Sequence, residues 1–451
     1  MSSDNLFEIA RTIADAARPG EQLEAYVVRS RETEVKVFSG AVESLSVAEA
    51  AGIGVRVIAD GRQGIASAGS LDADVITETL ADARDNATYG APDPGYGLAE
   101  PRDVEDVPAP DLDLWRDDVL ATPTAEKVAL AIAADRAVMA ADTRIRGVES
   151  TDYGDAALEM AMVASTGVSA TMARTMSSVG TSAMAGERDA TQTGYGFDVR
   201  RSFGELDVER AAGMAADRAT RLLGATQPAG RRLPVIFDPM VSASVLSLIG
   251  SALNGEAVLR GRSMFADRLG EIVGASSVTI VDDPTNPDAF GASPFDGEGV
   301  RTRANTLVRD GRLERFLHNL YTARRAGAQT TGSAVRSYAS TPGVGARALH
   351  FLPGAKSPAE VMASVPEALY VQSVSGLHSG TNPVSGDFSV GAEGLMVRNG
   401  QFAEPVREVT VASTLPRMLL DVVEIGSDLT WLPGGTAGVT VLVSEMTMAG
   451  A

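Results

Sequence analysis

The sequence predicts an α+β protein of two domains. Residues 1–228 read as an N-terminal mixed α/β domain with an antiparallel meander and helices, and residues 232–451 as a β-rich C-terminal domain. Three observations predict this. In the first half, blocks of helix-spaced apolar residues alternate with blocks of short β-rich runs. The second half opens with one helical run and continues almost entirely in short β-rich runs. Between them, "GATQPAGRRLP" (224–234) combines glycine, proline and paired arginines between a helix and a strand, which suits a boundary. A chain of 451 residues has room for domains of roughly 100–200 residues each.

The elements follow in order. Residues 4–17 set Leu6, Ile9, Ala10, Ile13, Ala16 and Ala17 at helical spacing, and Arg18-Pro19-Gly20 ends the pattern. "AYVVRS", "EVKVFSG", "AVESLSVAEA", "GIGVRVIADG" and "QGIASAG" then read as separate short strands of a meander, punctuated by Gly, Asp and Ser. Ser70 and Asp72 start a helix over 75–86. Five prolines in 89–110 predict a surface connection, with a sub-boundary inside 89–124. Helices are expected over 124–141 and 206–223, with strands between 144 and 200 and turns at 152–155 and 186–189. In the second half "LPVIFD" is a strand and 239–253 a helix. "SSVTIVDD", "NTLVRDGRLERFL", "ALYVQSVSG", "GLMVRNGQF", "VREVTVAS" and "GVTVLVSEM" are strands, with "VRDG" and "VRNG" as hairpin tips.

Composition narrows the function. Thirty-nine basic against 59 acidic residues give a formal charge of −20, whose field repels phosphate backbones, so direct nucleic-acid binding is not expected. No run approaches the ~18–20 apolar residues of a membrane span. The N-terminus "MSSDNLFE" lacks the basic start and apolar stretch of a signal peptide, so a cytoplasmic location is the default expectation. With no cysteine in the chain, disulfides and thiolate metal ligands are excluded.

Catalytic hardware is scarce. The three histidines, His318, His350 and His378, are far apart in sequence, and neither His350 nor His378 has an acidic residue at ligand spacing. His318 falls in "ERFLHNLY", which reads as a strand. Asp282, Asp283 and Asp288 in "VDDPTNPDAF", and Asp296 and Glu298 in "SPFDGEGVRT", read first as turn and hairpin-tip residues and second as ligands for a hard cation. No nucleophile elbow, P-loop or dinucleotide fingerprint stands in its strand-to-helix context, and "GIGVRVIADG" lacks the third glycine and the helix. In "NGEAVLRGRS" (254–263), one carboxylate, Glu256, lies between Gly255 and Arg260.

Several longer stretches match a known family: "EVKVFSGAVESLSVAEAAGIGVRVIADGRQGIASAG", "GEAVLRGRSMFADRLGEIV", "ASPFDGEGVRT", "GTNPVSGDFSVGAEGLMVRNGQFAEPVREVTVAS" and "VVEIGSDL". On these the chain resembles the TldD/PmbA family, also described as modulators of DNA gyrase. Its members pair as TldD and TldE (PmbA) subunits of a heterodimeric metallopeptidase. In the TldD-type subunit a helix carries His-Glu-x-x-x-His, and a further ligand, typically cysteine, comes later. The resemblance puts Gly255 and Arg260 on the two histidine positions and keeps only Glu256 as the retained family glutamate. Glycine offers no donor and an arginine cation repels a metal ion. The resemblance therefore implies a TldE/PmbA-type subunit with no cofactor of its own, completed by a zinc-bearing TldD-like catalytic partner.

The substrates implied are unfolded or small peptides, in proteolysis or in maturation of ribosomally made peptides such as microcin precursors. Candidate substrate-binding residues are Arg260, Arg262, His378, Asn382 and Gly386. The two arginines suit a peptide carboxylate, or a structural salt bridge to Asp267 or to a carboxylate of a partner, and the Gly-rich loop "SVSGLHSGTNPVSGDFSVGAEG" suits strand-like pairing with a peptide. A homodimer is expected for the chain alone. Two other readings stay open: a stand-alone amide-bond hydrolase using Glu256 or the acidic loops, and a regulatory module that binds another protein.

Overall fold

In the computed structural model, which describes residues 3–104, 107, 108 and 110–450, the first half is one six-stranded antiparallel sheet carrying helices on a single face. After α1 (Ser3–Ala14) come β1 (Glu21–Phe38), β2 (Ala41–Ala59) and β3 (Arg62–Ala68), then α2 (Ala73–Tyr89), the short α3 (Asp118–Ala121) and α4 (Thr124–Ala141). β4 (Ile145–Ala164), β5 (Ser169–Ala185), β6 (Gln192–Arg200) and α5 (Val208–Thr220) complete it. The strand order is β3-β2-β1-β4-β5-β6.

The runs expected as separate strands merge: "AYVVRS" and "EVKVFSG" lie in one strand of 18 residues, "AVESLSVAEA" and "GIGVRVIADG" in one of 19. No turn pair interrupts either run, so pairing continues along the whole hairpin. The turn expected at 152–155 is likewise absent. Asp155 is held inside β4 by the Tyr153 hydroxyl (2.5 Å) and by Lys127 of α4 (2.6 Å). A buried carboxylate paired in this way does not need to leave the strand.

Strand alternation sorts the two faces. Leu23, Ala25, Val27, Val35 and Val37 of β1 meet α1, α2 and α4, while α5 covers β5 and β6 through Ala212, Ala215 and Ala219. Tyr26 and Val28, on the opposite face, meet Leu98, Val300 and Leu320. The proline-rich connection is therefore not wholly at the surface: Leu98 and Ala99 are fully buried, and Arg324 donates to the carbonyls of Gly97 (2.8 Å) and Leu98 (3.0 Å). Positions 105, 106 and 109 of that expected connection lie outside the described residues.

The second half is β-rich. β7 (Arg231–Phe237) leads into α6 (Pro239–Ala252) and the five-residue α7 (Gly255–Leu259). β8 (Ile280–Asp282), β9 (Asn305–Arg309) and β10 (Arg312–Leu313) follow, then α8 (Leu320–Ala326), β11 (Ala334–Val335), β12 (Gly343–Val344), β13 (Leu349–Phe351) and α9 (Pro358–Ala363). β14 (Glu367–Ser375), β15 (Asp387–Arg398), β16 (Gln401–Thr414), α10 (Leu415–Leu420), β17 (Val422–Ile425), β18 (Thr430–Trp431), β19 (Ala437–Gly438) and β20 (Val441–Ala449) end the chain. The main sheet runs β16-β15-β14-β7-β20-β17, and a further β16–β20 pairing closes five of its strands into a barrel. α6 is apolar around most of its circumference and lies in the core with Val235, Phe237, Leu349 and Val441.

The halves are joined by a buried network. Arg218 of α5 pairs with Asp238 (2.7 Å) and donates to the Gln372 carbonyl (2.6 Å), and the Tyr370 hydroxyl also donates to Asp238 (2.8 Å). Among the described residues, no helix is long and apolar enough to cross a membrane.

Candidate functional site

The sequence run around Glu256 reads as the end of a long helix, but the backbone breaks there. α6 stops at Ala252, and the Asn254 side chain caps a new helix by accepting from the Glu256 N–H (2.7 Å). The break is fixed from outside. Gly255 N–H donates to the Leu317 carbonyl (2.8 Å), Leu317 N–H donates to the Leu253 carbonyl (3.0 Å), and the Asn254 amide reaches the Val344 carbonyl (2.6 Å). Caps of this kind satisfy backbone groups that a helix end leaves open.

Gly255 is buried, and it must be glycine. A Cβ built there would stand 2.4 Å from Nδ1 and 2.5 Å from Cε1 of His318, and 2.7 Å from the Leu317 carbonyl oxygen. His318 is not on a strand, as its sequence suggested. β10 ends at Leu313, and the histidine lies in irregular chain just before α8, whose N-cap is Asn319. The backbone of this segment pairs at Leu317 with the 253–255 turn rather than running on as a strand, and the His318 N–H donates to a side chain, Thr331 Oγ1 (2.7 Å). Its Nδ1 lies 3.1 Å from Thr322 Oγ1, and burial pushes the imidazole pKa down, favouring the neutral ring.

Arg260 ends α7 and forms an ion pair with Glu256 (2.5 Å), four residues back, with both side chains more than one-third exposed. The expected partner Asp267 takes no part in this bridge. Arg262 is exposed. The remaining predicted residues cluster in the 376–386 loop. Asn382 Oδ1 accepts from the N–H groups of Val384 (2.9 Å) and Ser385 (3.2 Å), forming a turn. Gly386 has φ +80°, and a Cβ there would meet Pro416 Cδ at 2.7 Å and Met264 Sδ at 3.0 Å. The loop thus lies against the segment that leaves α7, on the side of Arg262, and His378 is exposed on it.

Glu256 and Arg260 also face a cavity of about 220 Å³ between the two halves, with Arg56, Glu298, Tyr96 and Tyr321 among its walls. Tyr96 and Tyr321 are tilted together at 5.5 Å between ring centres. Behind it lies a buried charge cluster. Arg56 of β2 pairs with Glu24 of β1 (3.1 Å) and with Glu298 (3.4 Å), and Arg336 pairs with Glu24. Burial alone would raise the Glu24 carboxyl, but Arg56 and Arg336 outweigh it and the net shift is down. Burial raises Glu298, and Asp296, buried beside that second carboxyl, rises to about 7.

The acidic loops are built into turns. Asp296 accepts from the N–H groups of Glu298, Val300 and Ala334, and Asp282, raised by burial to about 6, accepts from those of Arg347 and Ala348. Arg56, Tyr96 and Tyr321 were not visible as site residues in the sequence, since each comes from a different segment and none stands in a motif.

These residues do not suit a hydrolytic metal at α7. Gly255 supplies no donor, the His318 ring fills the space into which a side chain at 255 would project, and Arg260 places a cation where a ligand would be needed. Among the described residues, no group of three or more His, Cys, Asp or Glu is arranged to hold a metal ion.

Comparison with known proteins agrees with the architecture. Residues 23–87, 117–223 and 230–450 match, in turn, domain 1, the central domain and the C-terminal domain of the PmbA/TldA metallopeptidases. The metalloprotease PmbA of Escherichia coli O157:H7 is 28% identical over 452 aligned residues, covering 99% of this chain and 96% of that protein. A crystal structure from Thermotoga maritima, described as a DNA gyrase modulator, superposes with a TM-score of 0.88 at 24% identity, covering 99% of both chains. That of TldE from Thermococcus kodakarensis superposes with a TM-score of 0.89 at 22% identity and covers 100% of both.

Proposed function

Because this chain belongs to the PmbA/TldD metallopeptidase family, we propose that it is the non-catalytic, TldE/PmbA-type subunit of a heterodimeric peptidase. Its zinc is carried by a TldD-like partner, and its substrates are unfolded or small peptides. The observation that carries this reading is Gly255 pressed against His318: the helix that would present metal ligands presents none and has no room to regain one by a single substitution. The subunit's contribution is then to wall the chamber and position the active half. The 376–386 loop, with His378 exposed on it, and the exposed Arg262 offer a peptide backbone and its carboxylate their partners.

The test is metal analysis and cleavage of an unstructured peptide by the chain alone and co-purified with a TldD-like protein. The lone chain is expected to hold no stoichiometric zinc and to cleave nothing, and the pair to show chelator-sensitive cleavage. Chelator-sensitive cleavage by the lone chain overturns the reading.

One observation favours a second reading, a stand-alone hydrolase. Glu298, its pKa raised by burial, shares a cavity with Glu256, as an acid/base pair would. Turnover by the lone chain that is lost in both Glu256→Gln and Glu298→Gln would establish it.

A further inference from the structure

A second cavity, of about 470 Å³, lies where β6 meets the 287–290 and 429–431 segments of the other half, and it shares no lining residue with the one that Glu256 faces. Phe197, Phe290 and Trp431 give it apolar walls. Its cations are unevenly compensated. Arg200 and Arg210 share one carboxylate, the buried Asp198, at 3.1 and 2.9 Å, and Arg116 has the exposed Asp113 at 2.8 Å. Arg201 has no ion pair among the described residues. Its Nη2 donates to the carbonyls of Pro287 (3.1 Å) and Ala289 (2.7 Å), which satisfy hydrogen bonds but bring no charge.

Next to Arg201 stands Arg174 of β5. Thr175, the following residue and itself buried, ties the arginine-bearing segments together: its hydroxyl donates to the Arg201 carbonyl (2.8 Å) and accepts from the Arg116 N–H (3.0 Å). Arg174 is at most partly exposed, and among the described residues none hydrogen-bonds or ion-pairs with it. The charged groups that act on it are cations, Arg347 and Arg201. Burial first, and then Arg347, hold its guanidinium below the ordinary value. A guanidinium nevertheless keeps its proton in a protein, and an enclosed charge without a counter-charge is costly. In a chain with 59 acidic against 39 basic residues, this group of cations is left without the carboxylate that would balance it.

We infer that this cavity binds a small monocarboxylate with an apolar or aromatic body, its carboxylate on Arg201 within the field of Arg174 and its body against Phe197, Phe290 and Trp431. Hydrogen bonds from a guanidinium to a carboxylate are among the stronger ones, and cavities of this size with apolar walls and a few placed charges suit small ligands. A dianion such as phosphate fits less well, because Asp113, Asp198, Glu205 and Asp288 line the same walls. A free acid and the free end of a peptide chain carry the same chemistry. The inference does not depend on whether the chain also serves a metal-bearing partner.

Isothermal titration calorimetry of the full-length chain with N-acetyl-phenylalanine, with its amide and with inorganic phosphate reads the site. The acid is expected to bind saturably and at least about tenfold tighter than either of the others, and Arg174→Gln to weaken the acid by about tenfold. The urea midpoint of unliganded Arg174→Gln is expected to stay or rise, because the guanidinium has no partner to lose, whereas an arginine with a structural role would lower it. A pentapeptide ending in phenylalanine that binds as the acid does supports the site as one for chain ends, and one that fails while the acid binds supports it as one for free acids. Equal affinity for acid and amide, tighter binding of phosphate, or no saturable heat from the acid at millimolar concentration overturns the inference. So does an Arg174→Gln variant that binds the acid like the native protein or that unfolds at lower urea.

Discussion

Replacing Gly255 with alanine probes the packing that separates this helix from a ligand-bearing one. The added methyl would sit 2.4 Å from His318 Nδ1 and 2.7 Å from the Leu317 carbonyl oxygen. The carbonyl cannot retreat cheaply, because the same peptide segment is hydrogen-bonded to Gly255 N–H and Leu253 O. His318 is 7% exposed and tied to Thr322 and Thr331, so the ring has little free volume. Inserting a methyl into such a site costs about 1–3 kcal/mol, and the better helix propensity of alanine returns at most about 1 kcal/mol. The net expectation is destabilisation by about 1–2 kcal/mol. Urea denaturation followed by fluorescence of Trp115 and Trp431 measures it, in the native protein, Gly255→Ala, His318→Ala and the double variant. His318→Ala removes the ring that the methyl strikes, so the double variant is expected to lose less than the sum of the singles, with a coupling of about 1 kcal/mol. A Gly255→Ala variant as stable as the native protein, or an additive cycle, refutes the reasoning.

Other outcomes follow from the same geometry. Arg218→Met leaves Asp238 buried without its guanidinium, and losing one partner of a buried pair costs about 3–5 kcal/mol, measurable as a lower urea midpoint. The His318 ring, held down by burial, is expected to titrate in an NMR pH series below its ordinary value of 6.5. A depressed imidazole contributes stability that is present above 6.5 and lost as pH falls, and a His318→Gln variant should lack that loss. Asp296 has the opposite sign. Its carboxyl is raised from 3.8 to about 7, so its contribution is complete below 3.8 and disappears as pH rises through about 7. The stability of the native protein relative to Asp296→Asn should therefore fall between about pH 4 and about pH 7.

Much of the secondary structure was legible from local pattern. The helix expected over 124–141 is α4 residue for residue, because its alanine-rich run of strong helix formers is a property of the segment itself. The "VRDG" and "VRNG" tips form as hairpin turns, with positive φ at Asp310, Gly311, Asn399 and Gly400. Strand lengths were not legible, because only cross-strand pairing shows whether two apolar runs are one strand. His318 was misplaced on a strand because "ERFLHNLY" has strand-like composition, whereas its hydrogen bonds go to Thr331 and Thr322.

By itself the sequence determined which donor atoms the 255–260 segment can offer: no thiolate, no side chain at Gly255 and a cation at Arg260, each fixed by which atoms a side chain carries. It also determined the charge of −20 and the order of helices and strands, since those depend on composition and on near neighbours. Tertiary structure decided why 255 has to be glycine, which cavity Glu256 faces, and which edge of the sheet is left open. Each of these depends on groups brought together from separate parts of the chain: His318 against Gly255, Arg56 against Glu298, β3 pairing with β2 no further than Ile53. Local propensity carries no record of such contacts, which exist only once the chain has folded, and in the case of Arg56 and Glu298 only once the two halves have met.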